Sequence, residues 1–198
     1  HSQIYYNGFK MQLRITGGDL KGKKITLKNK ISIRPTSSKV RQSIFNRIIN
    51  NHVLNTKISK NKSKFTDIFS GSGIIGFEAL SRNFKHVDFV ENNEILINSI
   101  YKNACKLKIE NRINLYCTNA IAPPKSKEFS DIIYLDPPYN TEISIPTILA
   151  FDKKGWVSKH TTIFIETSVK ENLKIPDSYS ILDSRIYGTT KVSTIKKI

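Results

Sequence analysis

The sequence is short of acid. It has 16 Asp and Glu against 32 Lys and Arg, a formal charge of +16 and a pI near 9.8. So basic a chain invites a polyanion, nucleic acid first, over an acidic-surface role. Cysteine is almost missing. Cys105 and Cys117 stand alone, which excludes a disulfide framework and offers no metal-ligand spacing. A reducing cytoplasm is the expected setting, with no metal. No apolar run approaches the ~18 residues of a membrane span, and no cleavable signal pattern is present. No repeat or low-complexity tract appears. Hydrophobic residues make up 38% of 198, enough for one domain or one domain with a small appendage. The one methionine is Met11. Residues 1–10, a scar or an upstream extension, are set aside.

What is present alternates. Leu13 to Leu27, broken by Gly17-Gly18 and Gly22, reads as a β-hairpin. Thr36 to Ser38 offer helix caps, and Val40, Ile44 and Ile48 recur at helical spacing, widened by Phe45 and Ile49. Lys57 to Lys64 has little to bury and reads as an exposed loop. From Lys64 onward, strand and helix take turns. Strands are expected in "KFTDIFSGSG", where the strand runs into a glycine turn, and in "HVDFVENN", "INLYCTNA", "FSDIIYLDPPY" and "TTIFIET". Helices are expected in "IIGFEALSR", in Glu94 to Lys108 and in Ile143 to Phe151. A hairpin around Gly188 closes the chain. Such alternation predicts a parallel sheet covered on both faces.

Gly71 to Gly76, "GSGIIG", is a G-x-G-x-x-G turn between a strand and a helix, and Glu91 follows Gly71 by 20 residues at the next strand end. A dinucleotide and S-adenosylmethionine both use such a turn and such an acid. Charge separates them. Asp67 lies four residues before Gly71, where a carboxylate repels a pyrophosphate but attracts a sulfonium and an ammonium. At about 4 Å and an effective dielectric of 20 that attraction is roughly 4 kcal/mol. The reading favours S-adenosylmethionine. Asn119, in "TNA", is placed to offer an amide to the adenine edge, or is simply a polar turn residue.

The strand "IIYL" runs into Asp136-Pro137-Pro138-Tyr139. An exocyclic amine on a planar base is a poor nucleophile, because its lone pair is delocalised into the ring. The Asp136 carboxylate and the Pro137 carbonyl can accept both its N–H bonds and free that pair. Prolines have no N–H and hold the chain extended. Tyr139 can stack on the base, worth about 1–3 kcal/mol.

With these residues in view, the chain resembles the RsmD family, bacterial methyltransferases of guanine N2 in 16S ribosomal RNA. The likeness runs from about Leu13 onward through "RITGGDLKGKKI", "IRPTSSKVRQSIFN", "DIFSGSGIIGFEALSR", "VENN", "TNA", "DPPY" and "GWVSKHTTIFIETS". It implies an α/β, Rossmann-like class I methyltransferase fold: a seven-stranded sheet with an antiparallel last strand and an N-terminal β-hairpin. It implies S-adenosylmethionine held by Asp67, Phe69, Gly71, Gly73, Glu91, Asn92, Asn119 and Ala120, with Asp136, Pro137, Pro138 and Tyr139 at the target base. In "VENN", Asn93 departs from the acid that members often carry nearby.

The expected layout is a hairpin and helix over residues 11–62, facing RNA, and a catalytic domain over residues 63–198. Arg14 and Lys23 on the hairpin, and Arg34, Thr36, Lys39 and Arg41 at the following helix, are the expected RNA contacts. Cations in a first helical turn oppose the macrodipole, which makes sense where a phosphate docks. The expected partner is 16S ribosomal RNA, free or within a 30S subunit, met by a monomer. Two other readings compete. A DNA adenine-N6 methyltransferase also uses D-P-P-Y, but 198 residues leave no sizeable target-recognition domain. A basic RNA-binding protein with a vestigial cofactor site is opposed by the intact acids and glycines.

Overall fold

A computed structural model describes residues 10–28, 36–49, 62–139 and 141–198. The segment 1–9, residues 31–35 with Arg34, and most of the expected loop 57–64 lie outside the described residues.

The chain opens with β1 (Lys10–Arg14) and β2 (Lys24–Lys28), an antiparallel ribbon with Leu13 opposite Ile25. Helix α1 (Ser38–Ile49) follows, and the Ser37 hydroxyl accepts the Val40 N–H at 3.3 Å as its cap. Then come β3 (Lys64–Ile68), α2 (Ile74–Ser81), β4 (His86–Glu91), α3 (Glu94–Leu107), β5 (Ile113–Cys117) and β6 (Ile132–Leu135). Helix α4 (Ser144–Lys153), β7 (Thr162–Ser168), β8 (Tyr179–Tyr187) and β9 (Thr190–Lys197) complete it. The seven-stranded sheet runs β5-β4-β3-β6-β7-β9-β8. Strands β3 to β7 pair parallel, and the last strand, β9, is antiparallel to both β7 and β8. This is the expected Rossmann-like sheet. No described helix is long and apolar enough to cross a membrane.

Two apolar layers explain the order. Every residue of β6 is buried, as a parallel strand covered on both faces must be. On one face Phe65, Phe89, Tyr134 and Phe164 pack under α1, α2 and α3. On the other, Ile133, Leu135, Ile163 and Ile165 meet Ile148, Phe151 and Trp156. Asn93 serves as the cap of α3, its Oδ1 accepting the N–H of Ile95 at 2.9 Å. An acid at that position is therefore replaced by a residue equally able to cap a helix.

Helix α2 is buried along its whole length, lying between the sheet and the N-terminal segment. A Cβ on Gly18 (φ 79°) would sit 1.9 Å from the Ser81 carbonyl oxygen, so the hairpin turn presses on the end of α2. Glu78, in the middle of α2, is fully buried and ties the layers together. Its Oε1 accepts from the Thr16 backbone N–H and hydroxyl, both at 2.8 Å, and from Arg41 Nε at 3.2 Å. Arg82 pairs with its Oε2.

Here the expectation for Arg41 fails. Arg41 is 2% exposed and donates to the carbonyls of Thr36 at 2.6 Å and Arg14 at 2.9 Å. It holds no surface for RNA. The reason is helical spacing: positions 41, 44, 45 and 48 share one face, so Arg41 lies on the buried stripe with Ile44, Phe45 and Ile48.

Candidate active site

The strand order reverses between β3 and β6, so the loops leaving these parallel strands diverge and open a crevice at their C-terminal ends. A cavity of about 910 Å³ lies there.

One wall is the glycine turn. Phe69 takes φ 60° and Gly71 φ 52°, left-handed conformations that cost a bulky residue energy and gather at functional sites. The turn is tied to the end of β4 by Glu91. Glu91 Oε2 accepts from the Gly71 N–H at 2.9 Å, and Oε1 from the N–H groups of Asn92 at 2.9 Å and Asn93 at 3.1 Å. Phe69, Gly71, Glu91 and Asn92 all line the cavity. Asn119 and Ala120 line it from the β5 side. Asn119 Oδ1 accepts the Ile121 N–H at 3.1 Å, so the turn role and an outward amide NH₂ coexist.

Asp67 and Gly73 stand behind that wall and do not line the cavity. Asp67 is 2% exposed and its Oδ2 accepts the Gly76 N–H at 3.0 Å. Burial pushes its carboxyl well above the ordinary range; the Gly76 hydrogen bond opposes this, and the nearby Glu91 charge adds to it. Held by the Gly76 N–H, Asp67 braces the turn from behind. Gly73 (φ 74°) is needed for packing: a Cβ there would lie 2.9 Å from Ile100 Cγ1.

The opposite wall is Asp136 to Tyr139, all lining the cavity. Pro137 is buried and Pro138 exposed. The Pro138 carbonyl accepts from the Thr141 hydroxyl at 2.6 Å, and the Tyr139 hydroxyl meets Thr190 Oγ1 at 3.3 Å. The β8–β9 turn, Tyr187 to Thr190, completes this side. Thr36 lines it too, 8% exposed. So does Glu166 of β7, two residues before the strand ends, a residue that sequence reasoning missed. The signal was an acid directly after the apolar run Ile163 to Ile165, as Glu91 follows the apolar Phe89 and Val90 in β4.

Charge inside the cavity reverses that of the chain. Glu91, Asp136 and Glu166 line it, and no Lys or Arg does among the described residues. Such a lining suits a cationic ligand and opposes a pyrophosphate. The charge argument first placed on Asp67 therefore passes to these three residues.

The remaining basic candidates lie elsewhere. Arg14, Lys23 and Lys39 are exposed and outside the cavity wall. Arg34 lies outside the described residues.

Residues 13–196 match the model of a family described as conserved hypothetical protein 95. The ribosomal RNA small subunit methyltransferase D of Buchnera aphidicola (from Acyrthosiphon pisum) is 31% identical over 178 residues, 88% of each chain. The protein of that name from Haemophilus influenzae is 28% identical over 183 residues, covering 90% of this chain and 91% of the relative. Among solved structures, the methyltransferase yhhF from Escherichia coli superposes with a TM-score of 0.78 at 24% identity, over 94% of this chain and 98% of that one.

Proposed function

The chain belongs to the conserved hypothetical protein 95 family, and from that premise we propose that it transfers a methyl group from S-adenosylmethionine to the N2 amine of a guanine in 16S ribosomal RNA. Relatives at 28–31% identity carry the name ribosomal RNA small subunit methyltransferase D. One observation carries the reading: a single cavity is walled on one side by the glycine turn with Glu91, and on the other by Asp136 to Tyr139.

The residues fit the cofactor. Glu91 spends its acceptor capacity on three backbone N–H groups, while a carboxylate has about four acceptor sites. It can still take a ribose hydroxyl. Asn119 retains donors for an adenine edge. The acidic lining with Glu91, Asp136 and Glu166 suits a ligand bearing a sulfonium and an ammonium. Bound there, S-adenosylmethionine supplies a methyl group on a positively charged sulfur, already activated for displacement.

The chain's work is placement and electrostatics. Asp136 and the Pro137 carbonyl accept the amine protons and direct the nitrogen lone pair. The two prolines hold those acceptors stiff. Tyr139, tethered to Thr190, offers its ring to the base. Asp67 and Gly73 keep the glycine turn in shape from behind. The net charge of +16, displayed in part by Arg14, Lys23 and Lys39, draws the RNA in. We read the acceptor as 16S RNA within an assembling or assembled 30S subunit, the enzyme as a cytoplasmic monomer, and residues 11–62 as its RNA-facing part.

The test is methyl transfer from labelled S-adenosylmethionine to small subunits from cells lacking the enzyme, followed by nucleoside analysis. N2-methylguanosine in 16S RNA is the expected product. Label found only in adenine, or only in DNA, rejects the reading.

A further inference from the structure

The proposed transfer leaves one buried acid of the cavity without a task. Glu166 is 3% exposed, yet it lines the cavity on the same side as Asp136. Strands β6 and β7 run parallel with Leu135 opposite Ile165. Glu166 is the next residue of β7 and Asp136 the first residue beyond β6, so both follow directly on a ladder pair of strands about 4.8 Å apart. Side chains alternate along a strand, so Glu166 leaves the sheet on the face of Tyr134 and Phe164, and the charge of Asp136 also acts on the Tyr134 phenol there. The Tyr134 hydroxyl donates to Glu166 Oε2, and the Thr36 hydroxyl donates to the same oxygen at 3.3 Å. Two donors on one oxygen orient the carboxyl group. Burial first, then the charges of Glu166 and Asp136, keep the Tyr134 phenol well above its ordinary range, so it remains a donor.

The chemistry of the base gives this acid a role. Resting on the reading that guanine N2 is the acceptor, the amine sits against Asp136 and the Pro137 carbonyl. The next atom along that edge is N1. Guanine carries a hydrogen there, whereas adenine carries a lone pair. An oriented carboxylate beside Asp136 accepts from the first and repels the second. We infer that Glu166 reads the N1–H of the target guanine and is the residue that rejects bases lacking that proton.

The experiment uses small subunits reconstituted from ligated 16S RNA, with either guanine or 2-aminopurine at the position that the wild type methylates. 2-Aminopurine keeps the amine at C2 but has a lone pair at N1. The wild type should prefer guanine by about 100-fold or more in kcat/KM, since a site built to hydrogen-bond an N–H can reject an analogue lacking it by up to about 10⁴–10⁵-fold. Glu166→Gln should narrow that preference by about 10-fold, because its amide N–H can meet the lone pair. Loss of the 6-oxo group in 2-aminopurine affects both enzymes alike and cancels in the ratio of preferences. An unchanged preference, with both substrates slowed equally, would make Glu166 a structural group and overturn the inference. So would a wild type that treats the two bases within about threefold, a result that needs no variant to fold. If the wild type methylates no guanine N2, the proposed function itself has failed, and that outcome is distinct from either.

Discussion

Glu78 lies fully buried beneath the N-terminal segment, and Glu166 lies 3% exposed at the rim of the sheet. Arg41, Arg82 and Thr16 close around Glu78. Glu166 is held by hydroxyls of Tyr134 and Thr36, and its carboxylate fronts the cavity. The first arrangement is a fastener and the second is a face. The contrast divides the "RPTSSKVR" motif between two tasks. Its Thr36 reaches the cavity, while its Arg41 joins the hairpin to α2. A buried charge turned to the protein fastens its layers, and one that lines a cavity is within reach of a ligand.

Breaking the fastener should have the largest effect. Arg41→Ala leaves Glu78 short of a buried partner and should cost about 3–5 kcal/mol in urea unfolding. The salt dependence of RNA binding by the folded fraction should not change. A loss under about 0.5 kcal/mol, the range of ordinary surface substitutions, would show that the ion pair is not a fastener.

At the cavity, Asp136→Ala should lower kcat by about 10²-fold or more. S-adenosylmethionine affinity, measured by calorimetry, should be retained. Loss of cofactor binding instead would move Asp136 from the target-base side to the cofactor side.

A smaller effect is expected at the exposed lysines. Lys23→Ala with Lys39→Ala should leave the melting temperature unchanged. The log–log salt slope of RNA binding should fall by about 0.7–0.9 for each lost phosphate contact. An unaltered slope removes both residues from the RNA surface.

The smallest and most diagnostic change concerns Asp67. Burial raises its folded-state pKa above the ordinary 3.8, so the folded chain holds its proton to higher pH than the unfolded chain does. Its contribution to stability is fully present below the ordinary value and is lost as pH rises through the folded value. Asp67→Asn keeps an acceptor for the Gly76 N–H and has no proton to lose. Relative to the wild type, the variant should therefore gain melting temperature as pH climbs from about 4 towards 8. A difference that stays flat with pH would mean that Asp67 is charged in the folded chain.

Most of the architecture was legible without coordinates. Period-two and helical patterns located the hairpin, α1 and the alternating elements to within a residue or two at most ends. Gly71 of "GSGIIG", Glu91 and Asp136 to Tyr139 line one crevice, while Gly73 packs behind the turn. Asp67 and Arg41 depart from their expected surroundings for one reason: a linear sequence displays a charge but not the direction in which the backbone aims it. The helical spacing of Arg41 with Ile44, Phe45 and Ile48 already argued for burial, and so did a lone Glu78 inside "IIGFEALS". Glu166 carries no such mark: an acid near the end of a strand, without prolines or glycines beside it, resembles many surface positions.

By itself the sequence determined what is local: the elements, the stiff acceptor pair of Asp136 and Pro137, the glycine turn and the excess of positive charge. Periodicity and backbone chemistry act over a few residues, and a linear chain displays them directly. Only tertiary structure decided which buried charges are enclosed and which front the cavity. Glu78 meets Thr16 across 62 positions, and Glu166 meets Thr36 across 130. Such pairings depend on how strands are ordered in the sheet, and no short window of sequence contains that order.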